Sequence, residues 1–391
     1  MAKVPARILD RVVTRRRLLG GLALAGLVAP AVIGRAQTPR VVRLGHTEAL
    51  TGPSAAYGLR GRDGAQFAAD EINAAGGFAD TRGTLYKVEI TDHDMANDAR
   101  QAITLFRQQA LDTAVVAALG PTNSVGFVAV VPVSAQLSLP LIGGGGAPIK
   151  TWSPWAYRIN PVSATATPIL LRRVCAQNAV KRLAIIYDQT QEGQAGDGVV
   201  CRQMQGELGY QVVADEAFRA GEQDLSPQVS KIRAAKPDAI YVAGATGDGI
   251  KVVSQLRDAG LDQPLLTGYG SFQDPVYWQG TAGRIKGCYT YLSLATATGV
   301  LGDWLKRYNA RFKLEATSFS AYGYDSVYAV VEAVKRSNGT DRGPVREVLG
   351  GLDYRSPIET SIGFRNPPHG DNLTPSVSVV QVTGSGSYVT L

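Results

Sequence analysis

Three histidines and three cysteines are all that 391 residues offer of the side chains most used for metal binding and nucleophilic catalysis. His46, His93 and His369 lie far apart, and no H-E-x-x-H or C-x-x-C brings such ligands onto one helix or loop. Asp92-His93-Asp94 is the nearest approach to a metal cluster, but at the end of a strand it reads more simply as a solvated turn. No G-x-S-x-G supplies a nucleophile and no G-x-x-x-x-G-K-[ST] cradles a phosphate. An enzyme would need a nucleophile beside a base, or a metal centre. Neither is visible, so no catalytic residue, metal or cofactor is expected.

What the chain does carry is glycine- and hydroxyl-bearing segments at strand ends. Gly120-Pro121-Thr122-Asn123-Ser124 leaves an apolar strand and sets Ser124 where a helix begins. Free backbone N–H groups and a hydroxyl would converge there on an anion, typically a carboxylate. The next strand, Pro140 to Ile142, runs into Gly143-Gly144-Gly145-Gly146, where no side chain separates the backbone from an approaching ligand. Glycines that merely permit an unusual turn would look the same. Adjacent strands ending in such loops form the mouth of an open α/β sheet, the general place for a ligand in these folds. Gly193-Gln194-Ala195-Gly196-Asp197-Gly198 and Gly244-Ala245-Thr246-Gly247-Asp248-Gly249 also follow strands and open helices, but lack the G-x-G-x-x-G spacing of a dinucleotide site.

The elements that must position these segments alternate. Short β-branched runs at Val41 to Leu44, Val88 to Thr91, Ala114 to Leu119, Leu183 to Tyr187, Ala239 to Val242 and Leu265 to Thr267 are separated by helical patterns. That is the signature of parallel sheets with crossover helices. One helix is predicted over 57–75, stopped by Gly76-Gly77. Another spans Asp98 to Leu111 with apolar residues at Ile103, Phe106 and Ala110. Ser226-Pro227 reads as a cap and first turn, and a helix from Asp248 to Ala259 closes at Gly260. The alternation breaks near Tyr157 to Val162, again near Tyr291 to Leu294 before a helical region over Gly302 to Lys335, and again over Pro357 to Thr374. A hairpin follows, with strands near Val377 to Val382 and Tyr388 to Leu391. Three breaks in a chain of this length imply two domains with three crossings, a hinge around a ligand.

The net charge of +7 is not spread evenly. Within the first 36 residues seven basic side chains face one acid, which leaves 33 basic against 32 acidic residues in the remainder. The body of the protein therefore gives no electrostatic case for nucleic acid. Thr14-Arg15-Arg16-Arg17-Leu18-Leu19, the apolar run to Ile33 and Gly34-Arg35-Ala36 read as a twin-arginine export signal cut after Ala36. The apolar run from Leu18 to Ile33 is shorter than the roughly 20 residues a spanning helix needs, which argues against a membrane anchor. Cys175 and Cys201 fall on neighbouring helices and could pair in an oxidising compartment; three buried thiols are the alternative.

At this point the residues resemble a known family, the periplasmic binding proteins of the leucine/isoleucine/valine type that serve branched-chain amino acid ABC importers. The resemblance runs over nearly all of residues 40 to 391. Its most specific stretch is Leu50-Thr51-Gly52-Pro53-Ser54-Ala55-Ala56-Tyr57-Gly58, followed by Gly64-Ala65 and Glu71-Ile72-Asn73-Ala74-Ala75-Gly76-Gly77. Gly120-Pro121 with Ser124, Arg158, Leu256-Arg257-Asp258-Ala259-Gly260 and Tyr322-Gly323-Tyr324-Asp325 support it. The resemblance implies an α/β type I binding-protein fold, two parallel-sheet lobes joined by three hinge crossings. With residues 1–36 as the export signal, lobe 1 takes 40–160 plus 291–364 and lobe 2 takes 161–290 plus 365–391.

Carried over residue by residue, the resemblance places Tyr57 on the pocket wall, Ser124 on the ligand carboxylate, and Gly144 with Gly145 and Gly146 as backbone contacts. Gly146 stands where amino-acid binders have a threonine. The positions that would meet the ammonium are Ser163 and Tyr269, neither acidic, and two wall tyrosines are replaced by Ala195 and Ala245. Micromolar binding totals only about 8 kcal/mol, and burying an unpaired ammonium costs several. The expected ligand is therefore a carboxylate without the amine, aromatic or aliphatic, unless Asp188, Glu192, Asp197 or Asp248 supplies the missing charge. The expected partners are a small-molecule solute and the membrane permease subunits of an importer, with the protein working in the periplasm. A ligand-sensing module of a receptor or regulator would use the same fold, but an export signal without an anchor favours the transport receptor.

Overall fold

The computed structural model describes residues 38–268, 271–294, 299–364 and 370–391. The export signal assigned to residues 1–36, and Tyr269 and His369, lie outside them.

Two sheets organise the chain. The first contains β1 (Arg40–Glu48), β2 (Phe78–Ala79), β3 (Leu85–Asp94), β4 (Val115–Leu119), β5 (Leu141–Gly143) and β6 (Ala156–Arg158), in the order β2-β3-β1-β4-β5-β6. The second contains β7 (Arg182–Asp188), β8 (Gln211–Phe218), β9 (Ala239–Ala243), β10 (Leu265–Leu266), β11 (Tyr289–Leu292), β14 (Ser378–Gly384) and β15 (Ser387–Thr390), in the order β15-β14-β11-β10-β9-β7-β8. A small hairpin, β12 (Asp353–Arg355) with β13 (Ser361–Gly363), stands apart. The central strands pair in parallel, as expected from the alternation with helices. The edges do not: β2 runs antiparallel to β3, and β11, β14 and β15 run antiparallel in turn. The sheets are thus parallel-dominated and mixed: short turns join β2 to β3 and β14 to β15, and β14 meets β11 only after the chain has run through α9, α10 and α11.

Each sheet is covered on both faces, which is why its inner strands read as nearly continuous apolar runs. On the first sheet, α1 (Ala55–Ala74), α9 (Gly299–Phe312), α10 (Ser318–Ser337) and α11 (Arg342–Gly350) enclose one core around Phe67, Trp304, Tyr308 and Tyr324. On the other face, α2 (Ala99–Leu111) and α3 (Ser124–Leu137) enclose another around Phe106 and Phe127. The second sheet lies between α4 (Ser163–Asn178) with α5 (Glu192–Leu208) on one face and α6 (Ser226–Ala235), α7 (Thr246–Asp258) and α8 (Pro275–Gly280) on the other. Burying a side chain such as Phe127 or Leu183, both 0% exposed, contributes about 2 kcal/mol.

Local choices match the sequence in most places. Asp98 caps α2 through the N–H groups of Arg100 and Gln101, and the fully buried stripe is Ala102, Leu105, Phe106 and Gln109, one position off the expected Ile103 and Ala110. Ser226 is not the cap of α6: Leu225 holds that position, and the Ser226 hydroxyl donates back to Asp224. The region over Gly302 to Lys335 is two helices, broken at the left-handed Lys313, with a capping box at Thr317 and Ser320 starting the second.

The chain passes from first to second sheet between β6 and α4, back between β11 and α9, and forward again between β13 and β14. Beside the second passage, α1 meets the segment before α8: Arg60 Nε lies 3.1 Å from Asp274 Oδ2, both side chains under a tenth exposed, and Ser318 joins Gln273, through its N–H at 2.7 Å, to Ser293 at the end of β11. All three cysteines are buried and free. Among the described residues no helix is long and apolar enough to cross a membrane.

Candidate functional site

A narrow cleft, with a cavity volume of only about 20 Å³, lies between the carboxyl ends of the two sheets. Its lining follows strand ends in turn: Ser54 and Tyr57 after β1, Asn123 and Ser124 after β4, Gly146 after β5, Ser163 after β6, Gln191, Gly193, Gln194 and Asp197 after β7, Ala243 and Gly244 at β9, Thr267 and Gly268 after β10. Helices α3, α4, α5 and α7 therefore point their amino ends at one small space. None of α4, α5 and α7 has a side-chain cap. Uncapped first turns leave N–H donors and the positive end of the helix dipole for an anion.

The first-sheet wall is held from behind. Glu48, 1% exposed, accepts from the N–H and hydroxyl of Thr122 at 3.0–3.1 Å, which fixes the turn that presents Ser124. His46 stands beside Glu48, its Nδ1 2.7 Å from Asp92. Burial alone would lower the pKa of this imidazole, but the hydrogen bonds to Asp92 and Glu48 hold it up at about 9. The buried Arg158 donates from one nitrogen to the carbonyls of Gly145 at 2.9 Å and Ala147 at 2.7 Å, and its Nε pairs with Asp371 at 2.9 Å. Asn160 takes the Gly145 N–H. The glycine loop is thus a packed structure. Gly145 has φ +149°, and a Cβ there would fall 2.7 Å from the Ser124 backbone. The Ser124 hydroxyl accepts from the Ala147 N–H at 3.1 Å.

The second-sheet wall contributes a carboxylate. Asp197, 3% exposed, accepts from Thr167 at 2.8 Å. Burial pushes its carboxyl up to about 6, against the opposing pull of the hydroxyls of Thr167, Ser163 and Tyr241. The Ser163 hydroxyl, equally buried, lies toward Asp197 but makes only a weak, poorly aligned contact with it. Asp188 at the end of β7 and Asp248 in the first turn of α7 each keep one buried oxygen unpaired. They and Glu192 stand outside the cleft lining, so Asp197 alone of the four acids named as charge donors reaches it.

Of the residues predicted to contact ligand, Tyr57, Ser124, Gly146 and Ser163 come together in the lining. Gly144 and Gly145 stand behind it, with their N–H groups already given to the carbonyl of Pro121 and to Asn160. Ala245 is fully buried as the residue before α7, and its neighbour Gly244 lines the cleft instead. Tyr57 stacks on Phe319, with ring centroids 4.6 Å apart. The Asp92-His93-Asp94 segment forms no metal cluster; among the described residues no group of three ligating side chains could hold an ion. Among the lining residues not singled out as contacts, Gln191, Gly193, Gln194 and Asp197 at the start of α5 share a signal, spacings of three and four on one helix face.

The periplasmic binding protein family profile matches residues 41–387. The Leu/Ile/Val-binding protein homolog 1 of Brucella suis is 26% identical over 358 residues, covering 87% of this chain and 92% of its own. An amino acid binding protein of Pseudomonas aeruginosa is 24% identical over 357 residues, covering 86% and 89%. In fold, the chain is similar to the branched-chain amino acid transporter substrate-binding protein of Streptococcus pneumoniae, solved with isoleucine: TM-score 0.79 at 23% identity, covering 90% of this chain and all of that one. These relatives are solute-binding proteins rather than enzymes, and the chain belongs to the periplasmic binding protein family.

Proposed function

We propose that the protein is the solute receptor of an ABC importer of the branched-chain amino acid type, and that its cleft takes a small carboxylate lacking an α-amine. The observation that carries this reading is the convergence of uncapped helix amino ends on a cleft whose lining, among the described residues, holds Ser124 and Gly146 but no basic side chain. Such a site neutralises one negative charge through dipoles and N–H donors rather than through a counter-ion. The division into lobes over 40–160 plus 291–364 and 161–290 plus 365–391 belongs to the same reading, with the ligand bridging them and favouring a closed form that docks on permease subunits. So does export to the periplasm by a cleaved twin-arginine leader.

Asp197 supports a second reading, an α-amino acid whose ammonium meets that carboxylate while its own carboxylate meets Ser124. Three hydroxyls already face Asp197, however, so an ammonium would have to share a carboxylate whose donors are in place, though burial still holds that carboxyl up at about 6. A thermal-shift screen of the protein from Gln37 onward separates the two. Ligand at a hundredfold its Kd adds about 2.7 kcal/mol. Amine-free aliphatic or aromatic acids should stabilise, and Ser124→Ala should weaken them about 10- to 100-fold. Tight leucine binding with silence from amine-free acids would sink the first reading in favour of the second.

A further inference from the structure

We propose that the cleft reads the substituent beside the carboxylate as a hydroxyl, through Ser163 and Asp197, so that the solute is a 2-hydroxy acid. This rests on the carboxylate reading of the cleft and narrows it. Ser124 and Ser163 flank one dipeptide, Gly145-Gly146, whose α carbons stand about 3.8 Å apart. A Cβ on Gly145 would fall 2.8 Å from the Ser124 Oγ, and one on Gly146 would fall 2.7 Å from the Ser163 Oγ. The Ser163 N–H donates to the Gly146 carbonyl at 3.3 Å, which holds that residue beside the loop. Two hydroxyls so placed suit a carboxylate and the atom carried on its neighbouring carbon. The Ser124 oxygen already accepts from Ala147, so its proton is left for the carboxylate.

The second hydroxyl has a carboxylate beside it. Ser163 lies toward Asp197 in a weak, poorly aligned contact. Asp197 Oδ1 takes the Thr167 hydroxyl, while Oδ2 reaches the bare face of Gly268, itself part of the lining, where a Cβ would fall 2.5 Å from it. A ligand atom entering between Ser163 and Asp197 thus meets a proton without a well-placed acceptor and a carboxylate with capacity for another donor. A hydroxyl accepts from the first and donates to the second. An ammonium can only donate and a keto oxygen can only accept, so each leaves one of the two groups unsatisfied. Space sharpens the choice, because about 20 Å³ is the room of one or two waters, and a ligand atom there stands in for a water that both donates and accepts. Among the described residues only Tyr57 and Ala243 bring apolar side chains to the lining, in keeping with a polar substituent.

The test is calorimetric titration at pH 7.5 with acids that share a skeleton and differ only at the second carbon: propanoate, its 2-hydroxy and 2-oxo forms and alanine, and the same four forms of the leucine skeleton. The preferred enantiomer of the 2-hydroxy acid should bind about 10- to 50-fold more tightly than the unsubstituted acid, and the 2-oxo acid should gain less. Ser163→Ala should bring the hydroxy acid down to the affinity of its parent acid. Hydroxy, oxo and unsubstituted acids of equal affinity, an oxo acid that binds the tightest, or a Ser163→Ala loss equal for all of them would overturn the hydroxyl subsite and leave the carboxylate reading standing. Binding of the amino acids alone, or of none of the eight, would overturn the carboxylate reading and this inference with it.

Discussion

The loops that bring Ser124 and Gly146 to the cleft are tied down from behind by Glu48, Arg158 and Asn160, whereas the helices facing them across the cleft begin without side-chain caps. In the first turn of α7 Thr246 and Asp248, and at the end of β7 Asp188, keep buried oxygens unpaired. The first wall is finished before any ligand arrives, and the second is not. Pre-organisation on one side lowers the ordering cost of binding, and unsatisfied groups on the other leave free energy to be gained when it is covered.

Removing the support of the first wall gives the largest expected effect. Arg158→Met orphans the carbonyls of Gly145 and Ala147 and the carboxylate of Asp371, and should cost about 3–5 kcal/mol in urea unfolding of the ligand-free protein. A loss below about 1 kcal/mol would mean that the glycine loop holds itself.

Next comes His46. Its folded pKa of about 9 exceeds the ordinary 6.5, so the stability it contributes is fully present below pH 6.5 and is lost as pH rises through 9. The difference between the protein and His46→Gln should shrink by about 3 kcal/mol across that window. Parallel stability curves from pH 6 to 10 would show that the imidazole carries no charge behind the turn.

The smallest effect belongs to the second wall and has the opposite sign. Burial raises the Asp197 carboxyl to about 6, so in the ligand-free protein its ionisation is a penalty, absent at low pH and fully present above 6. Asp197→Asn should therefore stabilise the ligand-free protein at pH 7.5 by about 2 kcal/mol, with the gain fading below pH 4. Destabilisation at pH 7.5 would mean that both walls are equally satisfied.

Much of this contrast was legible in advance only on one side. The strands, the helix after Asp98, the stop at Gly76-Gly77 and the turn before Ser124 follow from periodicity and caps, which act over a few residues. The roles of Glu48, Arg158 and Asn160 were not legible, because each reaches a loop 13 to 74 residues away. Asp197 could be named as one acid among four, but its selection depends on the rotational phase of α5, which is set by packing of Val200, Cys201 and Met204 against the second sheet. Ser226 misled because a serine before a proline fits a cap, and here Leu225 is buried in that place instead. Of the antiparallel edge strands, the β14–β15 hairpin is legible in the sequence, whereas β2, two residues long, carries no mark that distinguishes it from the parallel interior.

The Arg60–Asp274 pair, almost dry and tying α1 to the segment before α8, bears on how long a solute stays. Any motion that separates the two sheets on that side must break the pair and bring water to both ions before the solute can leave. Escape would then be slow even for a weakly held molecule, and the dwell time would respond little to ionic strength, since salt screens a buried pair far less than an exposed one.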